Sequence, residues 1–176
     1  MKSEIRDYFK GLQDSLCKDI EAVESKGEFV EEIWKRDDIK ATYGGGGRSR
    51  SIIDGEIFEK AGINFSEVQG TLPKNMSKKL IGVEKESNFY ATGVSLVFHP
   101  RSPHIPTTHA NVRYIEVENK KWFGGGSDLT PYYIYDEDAA HFHTELKKTC
   151  DKFNTCLLYT SPSPRDRTRS RMPSSA

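Results

Sequence analysis

Apolar positions recur with two different periods along this chain. Ile5, Tyr8, Phe9, Leu12, Leu16, Ile20 and Val23 fall at steps of three and four, the spacing of one helical face, which predicts an amphipathic helix ending near Gly27. Phe29–Trp34 reads as a strand, and Ile52–Phe65 as short extended pieces broken by Gly55 and Gly62. Pro73–Leu80 reads as a short helix with proline at its start. From Tyr90 to His99 the alternation puts Val94, Leu96 and Phe98 on one strand face and Ser95, Val97 and His99 on the other. In the next run His109, Asn111 and Arg113 share a face opposite Ala110, Val112 and Tyr114. If the two strands are neighbours, His99 and His109 lie close together at the mouth of their connection, which Pro100, Pro103 and Pro106 stiffen. Trp122-Phe123 then runs into Gly124-Gly125-Gly126-Ser127-Asp128, predicted as a strand end and a tight turn. A last helix opens on Asp136-Glu137-Asp138, carries Phe142, Leu146 and Cys150 as its apolar stripe, and has Lys147-Lys148 near its negative end.

Composition narrows the class. With 176 residues, 35% of them hydrophobic and 11% aromatic, the chain is long enough for one domain with a core and too short to favour two. Lys and Arg number 26 against 26 Asp and Glu, so no overall basic field points to nucleic acid. Cys17, Cys150 and Cys156 are too few and too scattered for a disulfide scaffold and suit a reducing compartment. No apolar run reaches membrane-spanning length. The opening MKSEIRDYFKG fits neither a signal nor a transit peptide, and the expectation is a cytoplasmic protein. The end differs in kind: Leu157–Ala176 holds four Arg against one Asp, with three Pro and five Ser, a composition that favours disorder. It reads either as a basic arm for RNA or as translated adapter sequence, LLYTSPSPRD, following a broken coding frame.

Several side-chain groups could carry chemistry. His99, His109 and His143 could together hold a divalent metal such as Zn, Mn or Fe, although their spacings match no short ligand signature. His99 and His109 could equally be hydrogen-bonded strand ends, or serve in proton transfer near neutrality. His141 and His143 sit two apart on a helix and point in nearly opposite directions. Arg113 beside Asn111 suits carboxylate or phosphate recognition through a bidentate guanidinium, or is simply a solvated strand face. Gly-Gly-Gly-Ser-Asp128 leaves room for a planar ligand but is a common turn composition. Gly44–Gly47 followed by Arg48-Ser49-Arg50 lacks the Gly-Lys-Ser/Thr of a P-loop and the context of a dinucleotide fingerprint. It reads as flexible closure over an anion, or as a weak RNA-binding segment.

Taken together, YGGGGRSR, FEKAGINFSEVQG, ATGVSLVFHPRSPHIPTTHANVRYIEV, WFGGGSDLTPYY and EDAAHFHTELKKTCDKF resemble the oxygen-dependent coproporphyrinogen III oxidase family, collinearly from about Trp34 to Phe153. The resemblance implies an α+β fold, an antiparallel sheet flanked by helices, in a homodimer. It implies oxidative decarboxylation of two propionates of coproporphyrinogen III to vinyls, giving protoporphyrinogen IX in haem biosynthesis with dioxygen as oxidant. By the same resemblance, Ser95 matches a substrate-contacting serine, His109 a proton donor, Asn111, Val112 and Arg113 a substrate-binding segment, and Asp128 an acid that binds pyrrole N–H groups. His99, His109 and His143 match positions assigned to a divalent metal such as Mn or Mg, in a family also described as needing no metal and no organic cofactor. His143 is preferred over His141 on this ground alone.

The family pattern continues beyond the point where this sequence turns into SPSPRD. The expectation is therefore that residues 1–153 are the N-terminal half of such a domain and 154–176 a non-family tail. A further histidine, a Gly-rich substrate segment and most of the dimerisation region would then be missing, and the isolated chain unstable or inactive because apolar sheet surface stays exposed. Two other function classes compete: a hydrolase or oxygenase built on a metal at His99, His109 and His143, and an RNA-binding module built on the Gly/Arg segment and the tail.

Overall fold

The computed structural model describes residues 1–36 and 44–155, and the chain divides into two units, Met1–Tyr133 and Ile134–Ala176. Tyr43, Cys156 and the tail fall outside the described residues. The first unit contains α1 (Lys2–Val23), β1 (Val30–Lys35), β2 (Gly44–Ile53), β3 (Phe58–Leu72), α2 (Lys74–Ile81), β4 (Ser87–Pro100), β5 (Thr107–Val117) and β6 (Lys120–Thr130). The six strands form one sheet in sequence order, every neighbouring pair antiparallel. With three helices among the described residues, the fold is α+β, as expected.

One face of this sheet is the core. Helix α1 lays Phe9, Gln13 and Cys17, four residues apart, against Ile63 and Phe65 of β3, Val94 of β4 and Tyr114 of β5. Ile5, Leu12, Leu16 and Ile20 pack around them as the spacing predicts, while Tyr8 and Val23 stay exposed. Gln13 is fully buried, and its amide is fully used. Its Nε2 donates to the carbonyls of Arg48 and Ile63, both at 2.7 Å, and its Oε1 accepts from Arg48 Nε at 2.7 Å. A buried amide is tolerated only when satisfied in this way.

The glycine runs differ from expectation. Gly44–Gly47 lies inside β2, paired with β3 throughout and with β1 at Gly46 and Gly47, rather than in a mobile closure. Close approach explains the composition. A Cβ on Gly47 would lie 2.4 Å from both the Trp34 ring and the Phe65 carbonyl, so the indole can lie across the strand only over glycine. Gly62 does not break β3, whereas Gly55 does sit in the turn between β2 and β3. Gly124–Asp128 is likewise no turn: β6 continues through it to Thr130, paired with β5 throughout. Pro73 caps α2, and Gly82 closes it in the left-handed conformation (φ 77°). In the second unit, α3 (Asp136–Asp151) has the acidic first turn that the sequence predicts, with Phe142, Leu146 and Cys150 half-buried on it.

Glu24 anchors the turn between β2 and β3. Its carboxylate is buried and accepts backbone N–H groups from Lys26 (3.2 Å), Glu56 (2.6 Å), Ile57 (3.0 Å) and Phe58 (3.0 Å). Burial by itself would raise its pKa; the four donors outweigh that and hold it at about 2 rather than 4.5. Because folding lowers this pKa, the stabilisation is complete above about 4.5 and is lost as pH falls toward about 2. In urea titrations of the chain, Glu24→Gln should lower the unfolding midpoint at pH 7 and flatten its decline between about pH 5 and 2. An unchanged midpoint and an unchanged pH slope would contradict this role.

Candidate functional site

Strand pairing carries the sheet's other face across all six strands, because directly paired residues in an antiparallel ladder project to the same side. Its rows change character along the strands. Phe89 and Val117 pack with Leu72 and Ile81 beneath α2, joined by Ile115 and Trp122. Next comes the row Trp34–Gly47–Ser66–Gly93–Arg113–Gly124, small except for its indole and its guanidinium. Beyond it run Glu32–Ser49–Asn64–Ser95–Asn111–Gly126 and then Val30–Ser51–Gly62–Val97–His109–Asp128. Lys60 and His99 are paired at the far end. The face thus grades from an apolar end to a polar, hydrogen-bonding end, with a shallow depression of about 250 Å³ between Ser66, Gly93, Ser95, Asn111 and Arg113.

The chemistry concentrates where β4, β5 and β6 meet. His109 and Asp128 are direct cross-strand partners, and Nδ1 of the imidazole lies 2.8 Å from Asp128 Oδ1. An ionised carboxylate only accepts, so this contact places a hydrogen on Nδ1 and leaves Nε2 for a ligand. Thr130 Oγ1 also lies on Oδ1, at 3.4 Å, so among the described residues Asp128 Oδ2 is unengaged. Register explains the precision of the pair: had β6 stopped at the glycines, Asp128 would hang on a loop. The His99 ring stands edge-on to His109, centroids 6.0 Å apart, as the alternation predicted.

Arg113 and Asn111 share this face, and Arg113 Nε donates to Asn111 Oδ1 at 3.1 Å. That contact orients the guanidinium, which faces no carboxylate among the described residues. Ser95 is exposed between Asn64 and Asn111. Val112 is different. Its partner Val94 belongs to the helix-covered side, so within the Asn111–Arg113 segment its side chain points away from the open face. Arg48 and Arg50 also face α1. Arg48 binds Asp14 at 2.7 Å, and Arg50 binds Asp14 and Glu31, each at 2.7 Å. Neither is available to an anion or to RNA.

His143 stands exposed on α3, in the second unit. Among the described residues, no three of His, Cys, Asp and Glu are arranged to hold a metal ion. The first unit supplies two neighbouring imidazoles, one of them already engaged by Asp128, and this does not amount to a ligand set. Ser49, Asn64 and Lys60 share the open face and were missed by the sequence reading, although polar residues at Lys60, Asn64 and Ser66 alternate visibly along FEKAGINFS. A larger groove of about 540 Å³ lies elsewhere, near Lys2, Gln69, Asn88, Tyr90 and Glu116. Two of its polar groups are engaged: Lys2 pairs with Glu116 at 3.1 Å, and Tyr90 donates to Glu67, outside the groove, at 2.8 Å. Among the described residues no helix is long and apolar enough to cross a membrane.

A His–Asp pair, an oriented guanidinium and a row of small polar residues share one open sheet face, an arrangement whose chemistry suits a flat, anionic ligand. Comparison with known proteins gives the same direction a name. The family model described as coproporphyrinogen III oxidase matches residues 4–162. The chain is 50% identical over 149 residues to the oxygen-dependent coproporphyrinogen-III oxidase of Prochlorococcus marinus (strain AS9601), covering 83% of this chain and 41% of that protein. To the protein of the same name in Prochlorococcus marinus (strain MIT 9515) it is 48% identical over 149 residues, again 83% of this chain and 41% of the relative. The chain belongs to the coproporphyrinogen III oxidase family, and it spans about two-fifths of the length of the curated relatives it matches. Membership supports the oxidase reading over a metal-dependent hydrolase or oxygenase.

The tautomer is directly measurable. In ¹⁵N NMR of the labelled chain, His109 should carry its hydrogen on Nδ1, and Asp128→Ala should shift it toward Nε2, the form usual in water. A wild-type His109 with Nε2–H only would contradict the pairing.

Proposed function

We propose that this chain forms the catalytic half-site of an oxygen-dependent coproporphyrinogen III oxidase. Such an enzyme converts two propionates of coproporphyrinogen III to vinyls and yields protoporphyrinogen IX. The observation that carries the reading is the His109–Asp128 pair on the same open face as Arg113. For each propionate, –CH₂–CH₂–COO⁻ with O₂ and H⁺ gives –CH=CH₂, CO₂ and H₂O₂. The Cα–COO⁻ bond and one Cβ–H bond break, the C=C bond forms, and the two electrons released reduce dioxygen to peroxide.

Each named residue has a task in that balance. The glycines and Ser66 of the Gly47–Gly124 row let a macrocycle lie flat against the strands. Arg113 holds a propionate carboxylate by charge-assisted hydrogen bonds, and Asn111 keeps its fork aimed. Ser95 donates to the ligand from the next row. Asp128 Oδ2 accepts a pyrrole N–H; taking that proton enriches the ring in electrons and favours transfer to dioxygen without an organic cofactor, and the proton returns afterwards. His109, held at Nδ1 by Asp128, takes up a solvent proton at Nε2 and passes it from there to the reduced oxygen, which supplies the one H⁺ consumed per propionate. A divalent cation such as Mn or Mg would need donors beyond His99 and His109, His143 being the one the resemblance adds. No step is assigned to it. The free thiols of Cys17 and Cys150 support a cytoplasmic setting, and a homodimer is part of the proposal through the resemblance.

The test uses this chain joined to the C-terminal portion of a Prochlorococcus relative, assayed with coproporphyrinogen III under oxygen. His109→Ala and Asp128→Ala should each lower turnover by about 10²-fold or more, the usual range for lost proton transfer, while Arg113→Ala should chiefly raise KM. Turnover within about twofold of the parent in both of the first two variants, against that expected loss, would remove this pair from the mechanism.

A further inference from the structure

The ligand proposed above carries four carboxylates, yet only one cation has been given to them. The strands place three Lys or Arg side chains on the open face: Lys60, Arg113 and Lys120. Lys120 is committed, its Nζ donating to the Ile81 carbonyl of α2 at 2.9 Å. Lys60 is exposed and, among the described residues, has no carboxylate within ion-pair distance. Its placement follows from continuous pairing. From Leu72 to Lys60, β3 runs beside β4 in regular register, and the ladder shifts only beyond that point, between Lys60 and Phe58. Lys60 therefore keeps the face of Ser66, Asn64 and Gly62, directly between Ile53 of β2 and His99 of β4. Had the shift fallen one residue earlier, the side chain would have turned to the α1 side.

We propose that Lys60 is a second carboxylate-binding residue of this site, at the opposite end of the polar strip from Arg113. The inference rests on the coproporphyrinogen reading. Six residues along β4 and two strand spacings separate the two positions, about 22 Å between backbones by ordinary strand geometry. Both side chains are long and flexible enough to lean inward by several ångströms each, which brings the two charges to the separation of propionates on opposite sides of a tetrapyrrole. The strip between them, Gly93, Ser95, Val97 and Asn111, carries no charge to repel a carboxylate. A cation at each end would therefore fix the macrocycle's rotation over His109 and Asp128, and so which propionate meets the proton-transfer pair.

The experiment compares the joined enzyme with its Lys60→Met and Lys60→Arg variants. KM and kcat are measured with coproporphyrinogen III, and binding by fluorescence quenching with coproporphyrin III and with its tetramethyl ester. The expected result is a KM about tenfold higher in Lys60→Met, in proportion to one charge-assisted contact, with a smaller change in kcat. Preference for the tetra-acid over the ester should fall, and Lys60→Arg should restore both. A parent that prefers the tetra-acid together with a Lys60→Met variant that prefers it equally, at unchanged KM, overturns the role of Lys60 alone. A parent that binds acid and ester alike overturns the carboxylate-site reading itself, and this inference with it.

Discussion

Everything in this architecture depends on α1 covering one side of the sheet while the other, beyond the end that packs beneath α2, stays open. Phe9, Gln13 and Cys17 seal the helix to β3, β4 and β5, and the Gln13 amide and the Arg48 and Arg50 ion pairs fix its position over the strands. Burial of the apolar alternation on that side settles the register of β2 to β5, since a slip of one residue would turn each core side chain to water, and β6 takes its register from continuous pairing with β5. The open face is therefore specified indirectly. His109 and Arg113 are aligned because Tyr114, on the other side of β5, is buried, and Asp128 because β6 pairs with β5 throughout.

A sheet face is a rigid platform for acid–base groups, more precise than a loop. The His109–Asp128 contact spans two strands held by continuous pairing, so neither partner has to be ordered when a ligand arrives. The cost is openness: Ser95, His99, His109 and Asp128 are all exposed in this chain. A water-excluded environment, in which such groups act most strongly, requires a cover from elsewhere. The chain represents about two-fifths of its relatives' length, which is consistent with that need.

The sequence was most informative where alternation was strict. Val94, Leu96 and Phe98 against Ser95, Val97 and His99, and His109, Asn111 and Arg113 against Ala110, Val112 and Tyr114, fall on the faces that their spacing predicts. The glycine runs are where local composition and tertiary pairing part. Locally, Gly44–Gly47 and Gly124–Gly126 carry turn composition, but pairing with neighbouring strands overrides that preference, and the missing side chains serve the close approach of Trp34 in one run and an open surface in the other. The Gly44–Arg50 segment reads as closure over an anion or as an RNA-binding segment because nothing nearby in sequence shows Asp14 or Glu31, which lie 34 and 19 residues from Arg48 and Arg50. Asn64 and Lys60 escaped notice because a role on the open face emerges only when β3 is set beside β4. His143 matched a metal position by resemblance, a property that spacing alone cannot supply.

The most direct measurement is a crystal structure of the joined enzyme with coproporphyrin III bound. The account places the macrocycle flat on the open face, one carboxylate on Arg113 and the pyrrole nitrogens over Asp128. A macrocycle seated on the α1 side of the sheet, or on the open face with Asp128 and Arg113 both out of contact, would contradict it.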